Sequence, residues 1–266
     1  MPTTAEIAAT VRGLASRLMQ TGVAPTPEAS RVFAEIVSVA LRYRGALADS
    51  VLAALGPDVD AVRDLCARGE TLLENEWAES IAGATSPWVA LSRFPYLDNY
   101  ERLVDLEHAA VTGVHGAMER IALIGAGALP LTGIQCAVRY EAQVILVDCD
   151  QTALERGTAV VKALGLDDRF AYAHADVGTC TLDLRAADLV VCAAMVTDMT
   201  GDKRACLVRL AEGMSPGAHI VVRSVAGLRE LLYDRADVDD VPGLTPLLEL
   251  HPRHDVVNSV LVARRT

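Results

Sequence analysis

Up to about residue 118 the apolar positions recur with a helical period. Ile7, Val11, Leu14 and Leu18 stand at steps of four, three and four, which places them on one face of a helix. Thr26-Pro27-Glu28 supplies a capping hydroxyl, a proline for the first turn and an acid to face the helix dipole, so a second helix is expected there. A third is predicted from about Asp60 to Ile81, with Leu73, Trp77 and Ile81 stacked on one side, until Thr85-Ser86-Pro87 breaks it. Another follows Asn99 to about Ala110, and nothing in this half reads as a strand.

The pattern changes at Arg120. Ile121 to Ile124, Val144 to Val147, Leu189 to Cys192 and His219 to Val222 are short apolar runs separated by helix-length segments. Short buried strands alternating with helices signal a parallel, doubly wound sheet. Leu247 to Leu250 and Val256 to Val262 fit a terminal antiparallel hairpin, as at the end of a class I methyltransferase sheet. The expected fold is therefore α/β: a Rossmann-like, class I methyltransferase-type sheet over residues 119–266, behind an N-terminal helical domain of residues 1–118. Neither an internal repeat nor a low-complexity linker separates the halves, so they are expected to pack closely.

Composition narrows the partners. The 266 residues are 52% hydrophobic and 22% charged, ordinary for a globular chain. Lys plus Arg is 24 against 35 Asp plus Glu, a formal charge of −11 without any dense basic run, which argues against a nucleic acid partner. The N-terminus has no apolar core of signal-peptide type, and no uncharged apolar stretch suits a membrane span, so a cytoplasmic protein without a membrane partner is expected. A homodimer is the default expectation for such a chain. Six cysteines without a CxxC or a histidine cluster read as small buried hydrophobes, with Cys149 and Cys192 inside strand-like runs, and no metal is expected.

Gly125-Ala126-Gly127 lies where a first strand ends and a helix should begin, and a backbone without Cβ can turn sharply there and approach a ligand. The dinucleotide pattern asks for a third glycine three residues on, where this chain has Pro130, acceptable in a first helical turn. Asp148 closes the second strand about 20 residues after the glycines, where a carboxylate accepts bonds from ribose hydroxyls. Its other reading is a helix cap, because Asp150-Gln151-Thr152 looks like a helix start; the spacing lets one acid cap and the other bind. Asp176, after the third strand, is a candidate for adenine or else a loop carboxylate. A GxG without its third glycine, with an acid after strand two, suits S-adenosylmethionine better than NAD.

Further segments carry a family likeness. Ile124 to Thr132 (IGAGALPLT) resembles the GSGPLPLT segment of nicotianamine synthases, and Phe94 to Tyr100 (FPYLDNY) resembles their FPYxxNY. Arg223-Ser224, Gly227-Leu228-Arg229 and Leu232-Tyr233 resemble RSAHGxRxxLY; His251-Pro252 with Val256 to Val260 is similar to HPxxEVxNSV; Glu70 to Glu74 matches ExxxE. The matches run in order from about residue 65 to 265. Ala126 and Ala128 depart from the glycine segment, and Val225-Ala226 from the Ala-His pair. The plant members' C-terminal extension is missing, so the chain resembles the bacterial branch, which includes makers of histidine-based metallophores and enzymes that close S-adenosylmethionine into azetidine-2-carboxylate.

The resemblance implies transfer of the 3-amino-3-carboxypropyl arm of S-adenosylmethionine to the amine of a small amino acid, with methylthioadenosine leaving. The alternatives are cyclisation of the arm, ordinary methyl transfer, or binding without turnover. A protonated amine cannot attack, so a carboxylate must take its proton. Glu70 and Glu74, i and i+4 on one helix, share a face, and burial of two like charges would push one pKa upward. Glu74 is the expected base and Glu70 its neighbour, with Tyr96 or Tyr100 orienting the amino acid; spacing alone would equally allow a solvated helix acid and core tyrosines. The candidate cofactor-binding set is Gly125, Ala126, Gly127, Pro130, Leu131, Thr132, Asp148, Asp150, Asp176, Ala193 and Arg223. Arg223 and Arg229 are each read either as a clamp for a substrate carboxylate or as a surface ion pair. His251 and His254 could be metal ligands, but Pro252 between them and the nearby strand favour a structural role.

Overall fold

The computed structural model describes residues 2–114, 116, 119–196, 202–253 and 255–266. The N-terminal part is helical: α1 (Thr4–Thr21), α2 (Pro27–Arg42), α3 (Ala46–Leu55), α4 (Asp58–Ala82), α5 (Pro87–Leu91) and α6 (Leu97–Thr112). Thr3 and Glu6 form a reciprocal capping box on α1, and Thr26 accepts from the Ala29 amide to start α2, with Pro27 in the first turn. Two of these helices were not expected. α3 is almost entirely Ala, Leu and Val, so its apolar period is blurred, while the five residues of α5 begin at the same Pro87 that looked only like a breaker.

The remainder alternates: β1 (Arg120–Ile124), α7 (Leu131–Arg139), β2 (Gln143–Asp148), α8 (Gln151–Ala163), β3 (Phe170–His174), β4 (Leu189–Cys192), α9 (Lys203–Gly213), β5 (His219–Ser224), β6 (Leu244–Leu250) and β7 (Ser259–Arg265). A 3-10 turn over Gly227–Leu231 follows β5. The strand order is β3-β2-β1-β4-β5-β7-β6, with β1 to β5 parallel and β7 antiparallel to both neighbours. This is the Rossmann-like, methyltransferase-type sheet that the alternation predicted, including its closing hairpin.

Alternation along the strands divides the core. Ile121, Leu123, Val144, Leu146, Val191 and Val221 face the layer of α4, α6, α7 and α8, while Ala122, Ile124, Val190, Cys192 and Ile220 face α9. The helical half divides too. Its first helices and the start of α4 form a core with Leu228 and Leu231 of the 3-10 turn and Leu232 just after it, whereas Ala78, Ile81, Leu103 and Val104 enter the core of the sheet. The 25-residue α4 thus spans two cores, and its middle, Glu70 to Glu74, lies where they meet. The strand order reverses between β1 and β4, which opens the crevice at the carboxyl ends of the strands where such sheets bind ligands. Of the cysteines, four are buried as expected, but Cys149 and Cys180 are exposed. Cys149 falls just past the end of β2, in the turn that enters α8, instead of inside the strand.

Candidate active site

A cavity of about 770 Å³ occupies this crevice, between the strand ends and α4. Its floor is the loop after β1. Gly125 and Gly127 have φ of +76° and +66°, in the left-handed region. A Cβ at Gly125 would come within 2.6 Å of Val196 Cγ2, and one at Gly127 within 3.0 Å of Glu74 Oε2, so both glycines are required by conformation and by close approach. The amides of Gly125 and Ala126 donate to the Val147 carbonyl and hold the loop on β2. Pro130 stands one residue before α7 (φ −77°, ψ 58°), not inside its first turn, and α7 therefore begins without a side-chain cap. Gly157 of α8 presses on this loop: its Cβ would lie 3.1 Å from the Gly127 carbonyl oxygen.

The two acids after β2 divide the roles that their spacing allowed. Asp150 Oδ1 accepts from the amides of Thr152 and Ala153 and caps α8. Asp148 Oδ2 accepts from the Gly127 amide at 2.7 Å, and Oδ1 from the Asp150 amide at 2.9 Å. Asp148 is thereby oriented into the cavity as part of the glycine loop. Asp176, two residues after β3, accepts from the Gly178 amide and the Thr179 hydroxyl, and Ala193 lies directly after β4; both line the same cavity.

The roof comes from α4 and α6. Glu74 is 7% exposed, and its Oε1 accepts from the Tyr100 hydroxyl at 3.1 Å. Tyr233, beyond the 3-10 turn, donates to both oxygens of Glu70, at 3.0 and 2.8 Å. The Glu74 carboxyl is held well above the usual carboxylate range, first by burial, then by the charge of Glu70 and, more weakly, of Asp148; Tyr100 and Arg223 act against this. Burial and the neighbouring glutamates likewise raise the Tyr100 and Tyr233 phenols well above their ordinary value, so both remain donors. Tyr96 is not among the cavity residues. Its ring packs edge-on against Phe94 and lines a separate outer groove with Val37, Leu41 and Arg42.

Arg223 requires a correction to its reading as a surface ion pair. It is 4% exposed and lies in a buried bidentate pair with Glu107, Nε to Oε1 at 2.7 Å and Nη2 to Oε2 at 3.0 Å, while Nη2 also donates to Thr132 Oγ1 at 2.7 Å. It borders the cavity, but only its Nη1 edge is left for a ligand. Arg229 does not line the cavity; Nη2 donates to the Pro252 carbonyl, and burial beside Arg44 lowers its pKa to about 10. His251 bonds Ser259 through Nδ1 and pairs with Glu249 through Nε2, a structural setting, and His254 lies outside the described residues.

Three side chains at this site had no role in the sequence reading. Glu107 shares an α6 face with buried Leu103, Val104 and Val111, and an acid on an apolar helix face was the available signal. Tyr233 and Asn258 carried none beyond the family-like segments that contain them, because their approach depends on the packing of the 3-10 turn and β7.

The nicotianamine synthase protein family model matches residues 3–266. Nicotianamine synthase 9 of Hordeum vulgare is 34% identical, over 96% of this chain and 77% of its own length. Nicotianamine synthase 2 of Oryza sativa subsp. japonica is also 34% identical, over 91% of this chain and 77% of its own. Among solved structures, a mutant of MtNAS in complex with S-adenosylmethionine superposes with a TM-score of 0.84 at 24% identity, covering 97% of each chain. MtNAS in complex with MTA and tNA gives 0.83 at the same identity and coverage. A putative S-adenosylmethionine-dependent methyltransferase of Methanococcus maripaludis gives 0.53 at 13% identity, over 73% of this chain and 94% of its own, and the likeness is one of fold.

Two outcomes follow from the geometry. Replacing Glu107 with Gln leaves a buried guanidinium uncompensated and should cost roughly 3–5 kcal/mol in denaturant unfolding. A loss below about 1 kcal/mol would mean that the pair is solvated. For Glu74, the folded state binds the proton more tightly than the unfolded chain. Its contribution to stability is complete below the unfolded carboxylate pKa and is lost as pH rises through the raised value. The Tm of Glu74→Gln should therefore gain on the parent as pH rises above the ordinary carboxylate value, whereas a constant difference would show that Glu74 ionises without penalty.

Proposed function

The chain belongs to the nicotianamine synthase family, and from that premise we propose that it transfers the 3-amino-3-carboxypropyl group of S-adenosylmethionine to the amine of an amino acid, histidine being a candidate, and releases methylthioadenosine. The observation that carries this reading is the position of Glu74: a buried acid of raised pKa, against the glycine loop that would hold the nucleoside.

The cavity suits such a substrate. Among the described residues five carboxylates line it, Glu70, Glu74, Asp148, Asp150 and Asp176, against two guanidiniums, Arg68 at an exposed edge and Arg223, which Glu107 neutralises. A negative wall favours a sulfonium and opposes the pyrophosphate of a dinucleotide. Asp148 keeps lone pairs for ribose hydroxyls while it orders the glycine loop, and the floor of Gly125, Ala126 and Gly127 with Leu131 and Thr132 is open to a flat nucleoside. Asp150 contributes from the edge, where its second oxygen is not used by the α8 cap.

In the reaction the acceptor nitrogen attacks the methylene next to the sulfonium. The N–C bond forms, the C–S bond breaks, and the electron pair leaves on sulfur as the neutral thioether of methylthioadenosine. The acceptor's proton passes to Glu74, whose proton affinity is raised by burial and by Glu70 and so suits it to take that proton. Tyr100 fixes Oε1 of Glu74, and Tyr233 fixes Glu70 as the second negative charge to hold the incoming ammonium. A volume of about 770 Å³ is in the upper part of the range for one drug-sized ligand, which favours a separate acceptor over closure of the arm on itself. The product gains an amine and a carboxylate, the donor set of a metallophore.

Mass spectrometry of the protein incubated with S-adenosylmethionine, with and without histidine and the other amino acids, tests the reading. Methylthioadenosine whose appearance requires an added amino acid is the expected result. Azetidine-2-carboxylate without an acceptor would establish cyclisation instead, and S-adenosylhomocysteine would establish methyl transfer. Glu74→Gln should lower turnover by about 10²-fold or more while leaving S-adenosylmethionine affinity within a few-fold, and undiminished turnover would remove Glu74 from the mechanism.

A further inference from the structure

Asn258 lies just before β7, is 6% exposed and lines the cavity, and its Nδ2 has no hydrogen-bond partner among the described residues. A buried amide donor left unpaired costs about 1–3 kcal/mol, and its persistence calls for an acceptor supplied from elsewhere. Its surroundings indicate which kind. Val260 pairs with Arg223 across β5 and β7, and Asn258 is two residues earlier in the chain. On one face of an antiparallel pair such diagonal neighbours are about 7–8 Å apart, within reach of long side chains. Arg223 in turn donates to Thr132 in the first turn of α7, and that helix opens without a side-chain cap toward the cavity. An amide donor, the remaining Nη1 edge of a guanidinium and the positive end of a helix therefore share one corner.

The rest of the described lining is dominated by carboxylates. A substrate with both charges is thereby oriented: its cationic groups face the acids, and its anionic group faces this corner. We propose that Asn258 binds the carboxylate of the aminocarboxypropyl arm of S-adenosylmethionine, through Nδ2 and beside Arg223 Nη1. Asn258 thus selects the arm that carries a carboxylate and aligns its reacting methylene. The inference rests on the cavity being the S-adenosylmethionine site.

Three ligands separate the possibilities by titration calorimetry: S-adenosylmethionine, decarboxylated S-adenosylmethionine, which lacks only the carboxylate, and methylthioadenosine, which lacks the arm. Asn258→Leu should weaken S-adenosylmethionine about tenfold or more, as one hydrogen bond to a charged group supports, with the other two unchanged. Asn258→Asp, which brings a negative charge to the corner, should weaken it further and spare the same two ligands. Methylthioadenosine binding also reports that each variant is folded. Equal losses for all three ligands, or no loss for S-adenosylmethionine, would overturn the assignment while leaving the proposed function in place. Failure of the parent protein to bind S-adenosylmethionine would overturn both.

Discussion

A buried carboxylate is unfavourable unless something holds it there, and the arrangement around Glu74, which has no ion-pair partner among the described residues, does so from three sides. α4 carries it between two apolar cores, so the backbone has no freedom to turn the side chain outward. Tyr100 donates to it from α6, and Gly127 approaches so closely that a Cβ would touch Oε2. The glycine loop, the middle of α4 and the start of α6 are thereby mutually constrained. Displacing any one of them would let water reach the acid and return its proton affinity to an ordinary value.

The buried pair of Arg223 and Glu107 is the complementary device. It joins β5 to α6, and through Thr132 to α7, so the elements that roof and floor the cavity are tied by charge-assisted bonds deep in the protein. Because the pair is neutral overall, it stiffens the site without cancelling the negative potential of the cavity wall. The acids can then act on a cationic ligand, while the residual donors of the same corner are available to an anionic one. Position and charge are set by separate sets of side chains, which is how an acid can be kept reactive inside a rigid pocket.

Much of this was legible in the chain. The step from a helical period to short apolar runs at Arg120 announced an α/β sheet behind helices, because burial on both faces leaves no polar alternation in a parallel strand. The loop glycines and the acid after strand two were legible because backbone conformation and strand-end chemistry leave local marks. α3 was not, since a helix of small apolar residues has little contrast between its faces. Tyr96 and Tyr100, four residues apart, were indistinguishable until packing sent one ring to an outer groove and the other to Glu74.

The sequence by itself determined the class of fold, the glycine loop with its following acid, and the pairing of two glutamates on one helix face, since each depends on residues close together in the chain. Only the tertiary structure decided that Asp150 caps a helix while Asp148 holds the loop, and that Arg223 is spent on Glu107, 116 positions away. It likewise decided that Asn258 and Tyr233 reach the cavity at all. Those outcomes turn on which strand ends and helix faces meet across the sheet, a matter of long-range packing that no local spacing encodes.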